Sequence, residues 1–201
     1  MLIEGIPNIN QEVVKEKPFQ VPRRLWQQTG ADFEADIMRI EARLMENQRS
    51  GSKLVRFQDL NVRLPDGLLS SFSTVGNRRE PVCDGYVRQA DGRRYFVEVK
   101  QGFHHRPGNG RNRYVAASME QLSALTHGRT GPRNMRIHGG EIWVYHPTRD
   151  EDIPKDSRGR RKPLRSGCIW IQRTIISTRA CASLLSQYER RRWVHMRYRP
   201  T

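Results

Sequence analysis

Two β-rich runs, Val82 to Arg88 and Arg94 to Lys100, flank Ala90-Asp91-Gly92, and no other stretch of the chain restricts its fold so tightly. If these three residues form a hairpin loop with Gly92 in the left-handed conformation, Gln89 pairs with Arg93 and the numbers of facing residues sum to 182. Asp84 then faces Glu98, and Val82 faces Lys100. Side chains alternate along a strand, so Glu98 and Lys100 share one face of Tyr95-Phe96-Val97-Glu98-Val99-Lys100 while Val97 and Val99 share the other. A loop shorter by one residue would move Asp84 to the wrong face.

Around this hairpin the pattern alternates between helix and strand. Thr29 or Asp32 can cap a helix with apolar positions at Phe33, Ile37, Ile40 and Leu44, ending near Asn47. A strand follows from Leu54 to Val62, broken by Pro65-Asp66-Gly67. After the hairpin come a basic glycine-rich loop, His104 to Arg113, a helix from about Val115 to Leu125 and a strand from Glu141 to His146. A polar insertion, Pro147 to Ser166, leads to a strand from Cys168 to Ile176 and a helix from Arg179 to about Arg197. The order predicts an α/β fold in three parts: an extended N-terminal arm at 1–28, a core at 29–146, and a basic insertion, strand and C-terminal helix at 147–201 packed on that core.

Charge narrows the function. The 201 residues carry a formal charge of +15, a balance suited to polyanions. It is unevenly spread: residues 1–100 hold 16 basic and 14 acidic side chains, residues 101–201 hold 20 and 7. No apolar run approaches the ~18 residues of a membrane span, and Met1-Leu2-Ile3-Glu4 does not begin a signal peptide. An intracellular, cytoplasmic protein with no membrane partner is expected. Cys83, Cys168 and Cys181 are too few and too scattered for a disulfide framework or a CxxC zinc site.

The chemistry expected of Asp84, Glu98 and Lys100 follows from their residue types. Two carboxylates held close repel unless a cation lies between them, and hard oxygen donors suit Mg²⁺ or Mn²⁺. Such an ion activates water and stabilises charge on a phosphate under attack, and a lysine beside it can hold the water or the developing charge. Phosphodiester hydrolysis is the reaction these groups serve.

Asp84 followed by Glu98-Val99-Lys100 resembles the PD-(D/E)XK motif of the restriction-endonuclease-like nucleases, although proline stands at 81 and Cys83 directly precedes the aspartate. The αβββαβ core of that superfamily is similar to the order read over 29–146, with a strand and helix added at the C-terminal end. A glutamate-bearing helix ahead of the strands resembles that of transposon-encoded endonucleases and junction resolvases. The resemblance implies a metal-dependent DNA endonuclease in which Asp84 and Glu98 are metal ligands and Lys100 is the catalytic lysine. Glu34 or Glu41 would add a third carboxylate, with Glu34 preferred, and Gln101 would be a polar neighbour of the site. Some members carry Gln and Tyr one helical turn apart; here Gln121 is followed by Leu125, which argues against that subgroup.

DNA is the expected partner. Arg106, Arg111 and Arg113 in the glycine-rich loop and Arg158, Arg160, Arg161 and Lys162 in the insertion are candidates for phosphate contact. His104 and His105 are read as solvated, and Asp150-Glu151-Asp152 as a solvated turn. Arg190-Arg191-Arg192-Trp193 mixes phosphate-binding and base-stacking types, with a charged helix face over a buried Trp as its simpler reading. A homodimer or a larger DNA-processing assembly is compatible with cutting both strands. The competing class is a non-catalytic nucleic-acid-binding or assembly protein that keeps the nuclease-like shape.

Overall fold

The computed structural model describes residues 13–69, 79–102, 113–127, 130–187 and 192–198. It is a mixed α/β structure built on a seven-stranded, mostly antiparallel sheet. Strands β1 (Val13–Lys15) and β2 (Phe19–Pro22) and the short helix α1 (Arg23–Trp26) precede the long helix α2 (Gly30–Asn47). Three strands follow, β3 (Lys53–Arg56), β4 (Gly85–Arg88) and β5 (Arg94–Gln101), with β4 antiparallel to β3 and β5 antiparallel to β4. Strand β6 (Arg113–Ser118) and helix α3 (Met119–His127) then lead to β7 (Gly139–Pro147), which lies parallel to β5. Strand β8 (Cys168–Ile176), helix α4 (Thr178–Gln187) and β9 (Trp193–Tyr198) complete the chain.

The expected hairpin register is present. Gly85 pairs with Val97 and Arg88 with Arg94, the Gln89 N–H donates to the Arg93 carbonyl at 2.8 Å, and Gly92 has φ +83°. Asp84 lies one step beyond the paired part of β4, its N–H donating to the Val97 carbonyl at 3.0 Å. The ladder goes no further: the Val82 N–H donates to the Leu68 carbonyl instead, so Val82 does not face Lys100. Gly85 is required where it stands, because a Cβ there would meet the Val55 carbonyl oxygen at 2.1 Å. The residue after Asp84 can therefore lie flush against β3 only without a side chain.

Both faces of the sheet are covered. On one, α2 brings Phe33, Ile37 and Met38 against Val97, Val99, Trp143 and Tyr145. On the other, α3, α4 and the β6–β9 ribbon bury Leu122, Leu125, Leu184, Val115 and Met196 against Phe96, Ile142 and Val144. Strand β5 is thus buried on both sides, and each of its large apolar side chains contributes about 1.5–3 kcal/mol of burial. Glu98, only 2 % exposed in this strand, is the exception.

Several expectations are corrected. The residues expected as an extended arm include β1 and β2, which pair with β8 and bury Val21 completely. The strand expected over 54–62 ends at Arg56 in a 3-10 turn over Phe57–Asp59, where Phe57 enters the core. The two helices expected over 115–125 and 179–197 are each part strand. Arg113–Ser118 pairs with Trp193–Tyr198, and this non-local contact overrides the helical periodicity of both segments. Among the described residues, no helix is long and apolar enough to cross a membrane.

Candidate active site

A cleft of about 210 Å³ opens where the N-terminal half of α2, the start of β4, the end of β5 and the start of α3 meet, and Glu34, Asp84, Glu98, Lys100 and Gln121 line it. Strand alternation puts Glu98 and Lys100 side by side, joined as an ion pair between Lys100 Nζ and Glu98 Oε1. Asp84 approaches from β4 and is held by the Val99 N–H, which donates to Asp84 Oδ2 at 2.7 Å. Glu34 enters from α2. Glu41, seven residues further along the same helix, is buried elsewhere: it accepts from the Tyr145 hydroxyl at 2.9 Å and stands 3.3 Å from Arg173.

Gln101 does not join this group. It is the next residue after Lys100, so its side chain leaves by the other face of the sheet, and its Nε2 donates to the Trp26 carbonyl at 2.8 Å. Its place beside Glu98 is taken by Gln121, whose Nε2 donates to Glu98 Oε1 at 2.6 Å. Gln121 is fixed by a capping box at the start of α3: the Ser118 N–H donates to Gln121 Oε1 and the Gln121 N–H to Ser118 Oγ, both at 3.0 Å. The Ser-x-x-Gln spacing ahead of an apolar run was the available signal, since it marks where the helix starts and which residue its cap fixes.

Arg56, at the end of β3, is a second lining residue not singled out by the hairpin pattern. Its Nη2 donates to Gln58 Oε1 at 2.9 Å and lies 3.4 Å from Asp59 Oδ1, while its buried Nε and Nη1 have no hydrogen-bond partner among the described residues. An unsatisfied guanidinium edge beside a polar cleft is costly unless an acceptor reaches it.

The carboxylates are short of positive charge. Burial and then the charge of Glu98 push Asp84 up to about 8, against the Val99 N–H, Lys100 and Arg56. Burial and then Asp84 push Glu34 up to about 7. Burial raises Glu98 to about 6, with Lys100 holding it down. Burial alone would lower the Lys100 ammonium, but Glu98, Asp84 and Glu34 outweigh it and leave it above its ordinary value. Near neutral pH this cleft retains protons that a cation could replace.

The donors are of the hard oxygen type that divalent cations take: three carboxylate side chains from three elements, mutually repelling and only partly neutralised. Among the described residues, no three His, Cys, Asp or Glu side chains stand close enough to enclose an ion as they are. Glu98 is turned to Lys100 and Gln121, and Asp84 to the backbone of β5, so an entering cation must draw Glu98 away from these donors. Cys83, 1 % exposed beside Asp84, has its thiol pushed well up by burial and then by Glu98, which disfavours the reactive thiolate.

The expected phosphate contacts are partly placed. Arg158, Arg160, Arg161 and Lys162 are exposed in a turn that Asp156 organises, its Oδ1 accepting from the N–H groups of Arg158 and Arg160 at 2.9 Å. The turn follows β7, at the same end of the sheet as Lys100 and Gln101, which pair with Val144 and Tyr145. Arg113 opens β6; Arg106, Arg111, His104 and His105 lie outside the described residues. Asp150, Glu151 and Asp152 form a 3-10 turn in which the first two are exposed, as expected of a solvated turn, and they pair at the surface with Arg161 and Arg149 while Asp152 pairs with Lys15.

Compared with known proteins, the chain matches no family model, no curated protein and no solved structure.

Proposed function

We propose that this chain is a metal-dependent DNA endonuclease with a PD-(D/E)XK-type site. The observation that carries the reading is the convergence of Asp84, Glu98 and Lys100 from two adjacent strands, with Glu34 from α2, on one cleft. The order α2, β3, β4, β5, α3, β7, with β6 inserted before α3 and paired outside the main sheet, and with β5 and β7 parallel, supports a restriction-endonuclease-like core. The excess of 20 basic over 7 acidic residues in the C-terminal half supports a polyanionic substrate.

In this reading Asp84 and Glu98 hold Mg²⁺ or Mn²⁺, with Glu34 as the third carboxylate. The ion, when bound, supplies an activated water and stabilises the charge developing on the phosphate. Lys100 holds the attacking water or the new negative charge at the mouth of the Glu98 pair. Gln121 sets the position of the Glu98 carboxylate. Arg56, which lines the cleft, adds positive charge for a bound phosphate. The exposed turn at 158–162 follows the DNA backbone.

Incubation with linear, supercoiled and branched DNA, with and without Mg²⁺ or Mn²⁺, tests the proposal. Metal-dependent cleavage that Lys100→Ala removes is the expected result; no cleavage of any substrate, or undiminished cleavage by that variant, overturns it. A second reading, a binding or assembly module, is favoured by one observation: Glu98 is already engaged by Lys100 and Gln121. A protein that binds DNA equally well with and without Asp84→Ala and never cuts it belongs to that class.

A further inference from the structure

A second, larger groove of about 570 Å³ adjoins the cleft, and the two share Glu80, Pro81, Val82 and Gln121 as a common wall. Its volume falls within the range of small-molecule sites. Trp193, read from sequence as buried under a charged helix face, is instead 51 % exposed at the start of β9 and lines this groove. It is held there by pairing with Ser118 across the β6–β9 ribbon, and by the Met119 N–H, which donates to the Arg192 carbonyl at 3.1 Å. The same junction carries the capping box that fixes Gln121. An exposed indole is thus tied through two residues to the group that orients Glu98.

The chemistry of the groove selects its occupant. Pro81, Met119 and the exposed Trp193 offer apolar surface, while Glu80, Glu120 and Arg192 line the same groove. Two carboxylates repel a phosphate, yet they accept hydrogen bonds from exocyclic amines. An indole with a neighbouring guanidinium stacks any base. A nucleobase satisfies these demands, whereas a duplex backbone does not.

We propose that the Trp193 groove is a subsite for an unpaired base of the strand whose phosphate enters the cleft, so that the substrate is DNA with a single-stranded or splayed nucleotide at the cut. The inference rests on reading the cleft as a phosphodiester-cleaving site. It assigns the base and the phosphate of one nucleotide stretch to neighbouring pockets of different character.

The test compares two fluorescently labelled oligonucleotides of equal length, about a dozen units, one of deoxycytidine, whose exocyclic amine can donate to a carboxylate, and one with tetrahydrofuran abasic sugars on the same phosphate backbone. Binding is followed by anisotropy in EDTA, so cleavage plays no part. The protein is expected to prefer the deoxycytidine strand by about tenfold. Trp193→Ala should erase that preference, and Trp193→Phe, which keeps a ring, should retain part of it. Equal affinity of the unaltered protein for both strands, no binding of either, or an undiminished preference in Trp193→Ala overturns the proposal. Cleavage with Mg²⁺ is scored separately: a base preference that depends on Trp193 without any cleavage leaves the base subsite standing and removes the nuclease reading.

Discussion

Helix α2 sends one glutamate into each of two buried charge clusters, and the clusters differ in what surrounds the acid. Glu41, 5 % exposed, meets the Tyr145 hydroxyl and Arg173. Arg173 lies 4.0 Å from the centre of the Trp143 ring, whose own N–H donates to Glu141 at 2.8 Å. Burial pushes Glu41 up, and Arg173 and then the Tyr145 hydroxyl hold it down. Glu34, by contrast, faces an open cleft with Asp84 and Glu98, where the cations are Lys100 and Arg56. In the first cluster aromatic rings occupy the space beside the carboxylates; in the second that space is open. Burial of an acid is common to both, and Arg56 and Arg173 alike keep a buried Nε and Nη1 without a hydrogen-bond partner among the described residues, so it is the accessible volume that separates a site from a structural brace.

The comparison breaks most easily at its two centres. Asp84→Asn and Lys100→Ala should each lower DNA cleavage by at least about 10²–10³-fold. Asp84→Asn should leave Tm unchanged or raise it, because it removes a repelling buried charge. A gel assay of supercoiled DNA and a thermal melt decide this; a large loss of stability in Asp84→Asn would show that its cluster is a brace as well.

Glu41→Ala should behave in the opposite way. Removing one partner of a buried ion pair costs about 3–5 kcal/mol, a fall in Tm on the order of 10 °C for a chain of this size. Cleavage per folded molecule should be unchanged. Replacing both Glu41 and Arg173 by Met should recover much of the loss, since the remaining charge is removed with its partner. Failure of the double replacement to recover stability would mean that Arg173 is held by more than Glu41.

What could be read from the residues alone was local. The register of β4 and β5 depends on the conformation of one glycine, and Gly92 adopts it. The face shared by Glu98 and Lys100 follows from strand alternation, and it is the face that lines the cleft. What was hidden depends on partners far away in sequence. Ser118 and Trp193 meet only because β6 and β9 pair, and nothing in either segment announces the other. Glu34 and Glu41 are equivalent on a helical wheel; Tyr145 and Arg173, brought by β7 and β8, separate their roles. The apolar stripe of α2 was similarly displaced: Met38 and Glu41 are buried, whereas Ile40 and Leu44 are only partly so. Gln101 and Gln121 exchanged places because adjacency in sequence is opposition in a strand.

The pH dependence sharpens the comparison further. Asp84, Glu34 and Glu98 have folded-state pKa values of about 8, 7 and 6, all above those of an unfolded chain. The folded form therefore binds more protons over this interval, and stability falls where that is so. Their contribution is complete below the ordinary carboxylate range and is lost as pH rises through about 6 to 8. In EDTA, Tm should drop between about pH 5 and pH 8, with a shallower drop in Asp84→Asn. Mg²⁺ should raise Tm more at the upper end, where fewer protons compete for the carboxylates. A Tm that rises over this range, or a slope indifferent to Asp84, would show that the cleft is not the strained cluster described.

The smallest expected effect separates the two glutamines. Gln121→Ala removes the donor to Glu98 and should lower cleavage by about tenfold, the scale of one charge-assisted hydrogen bond of ~1.5 kcal/mol. Gln101→Ala removes only the donor to the Trp26 carbonyl on the opposite face, which joins the end of β5 to α1. It should cost about 1 kcal/mol of stability and leave the cleavage rate where it was. Measuring both variants by cleavage and by urea denaturation gives a crossed pattern if strand alternation divides the two faces as described. Loss of cleavage in Gln101→Ala at unchanged stability would place the reacting groups on the α1 side of β5, and the cleft between α2 and α3 would lose its claim to be the site.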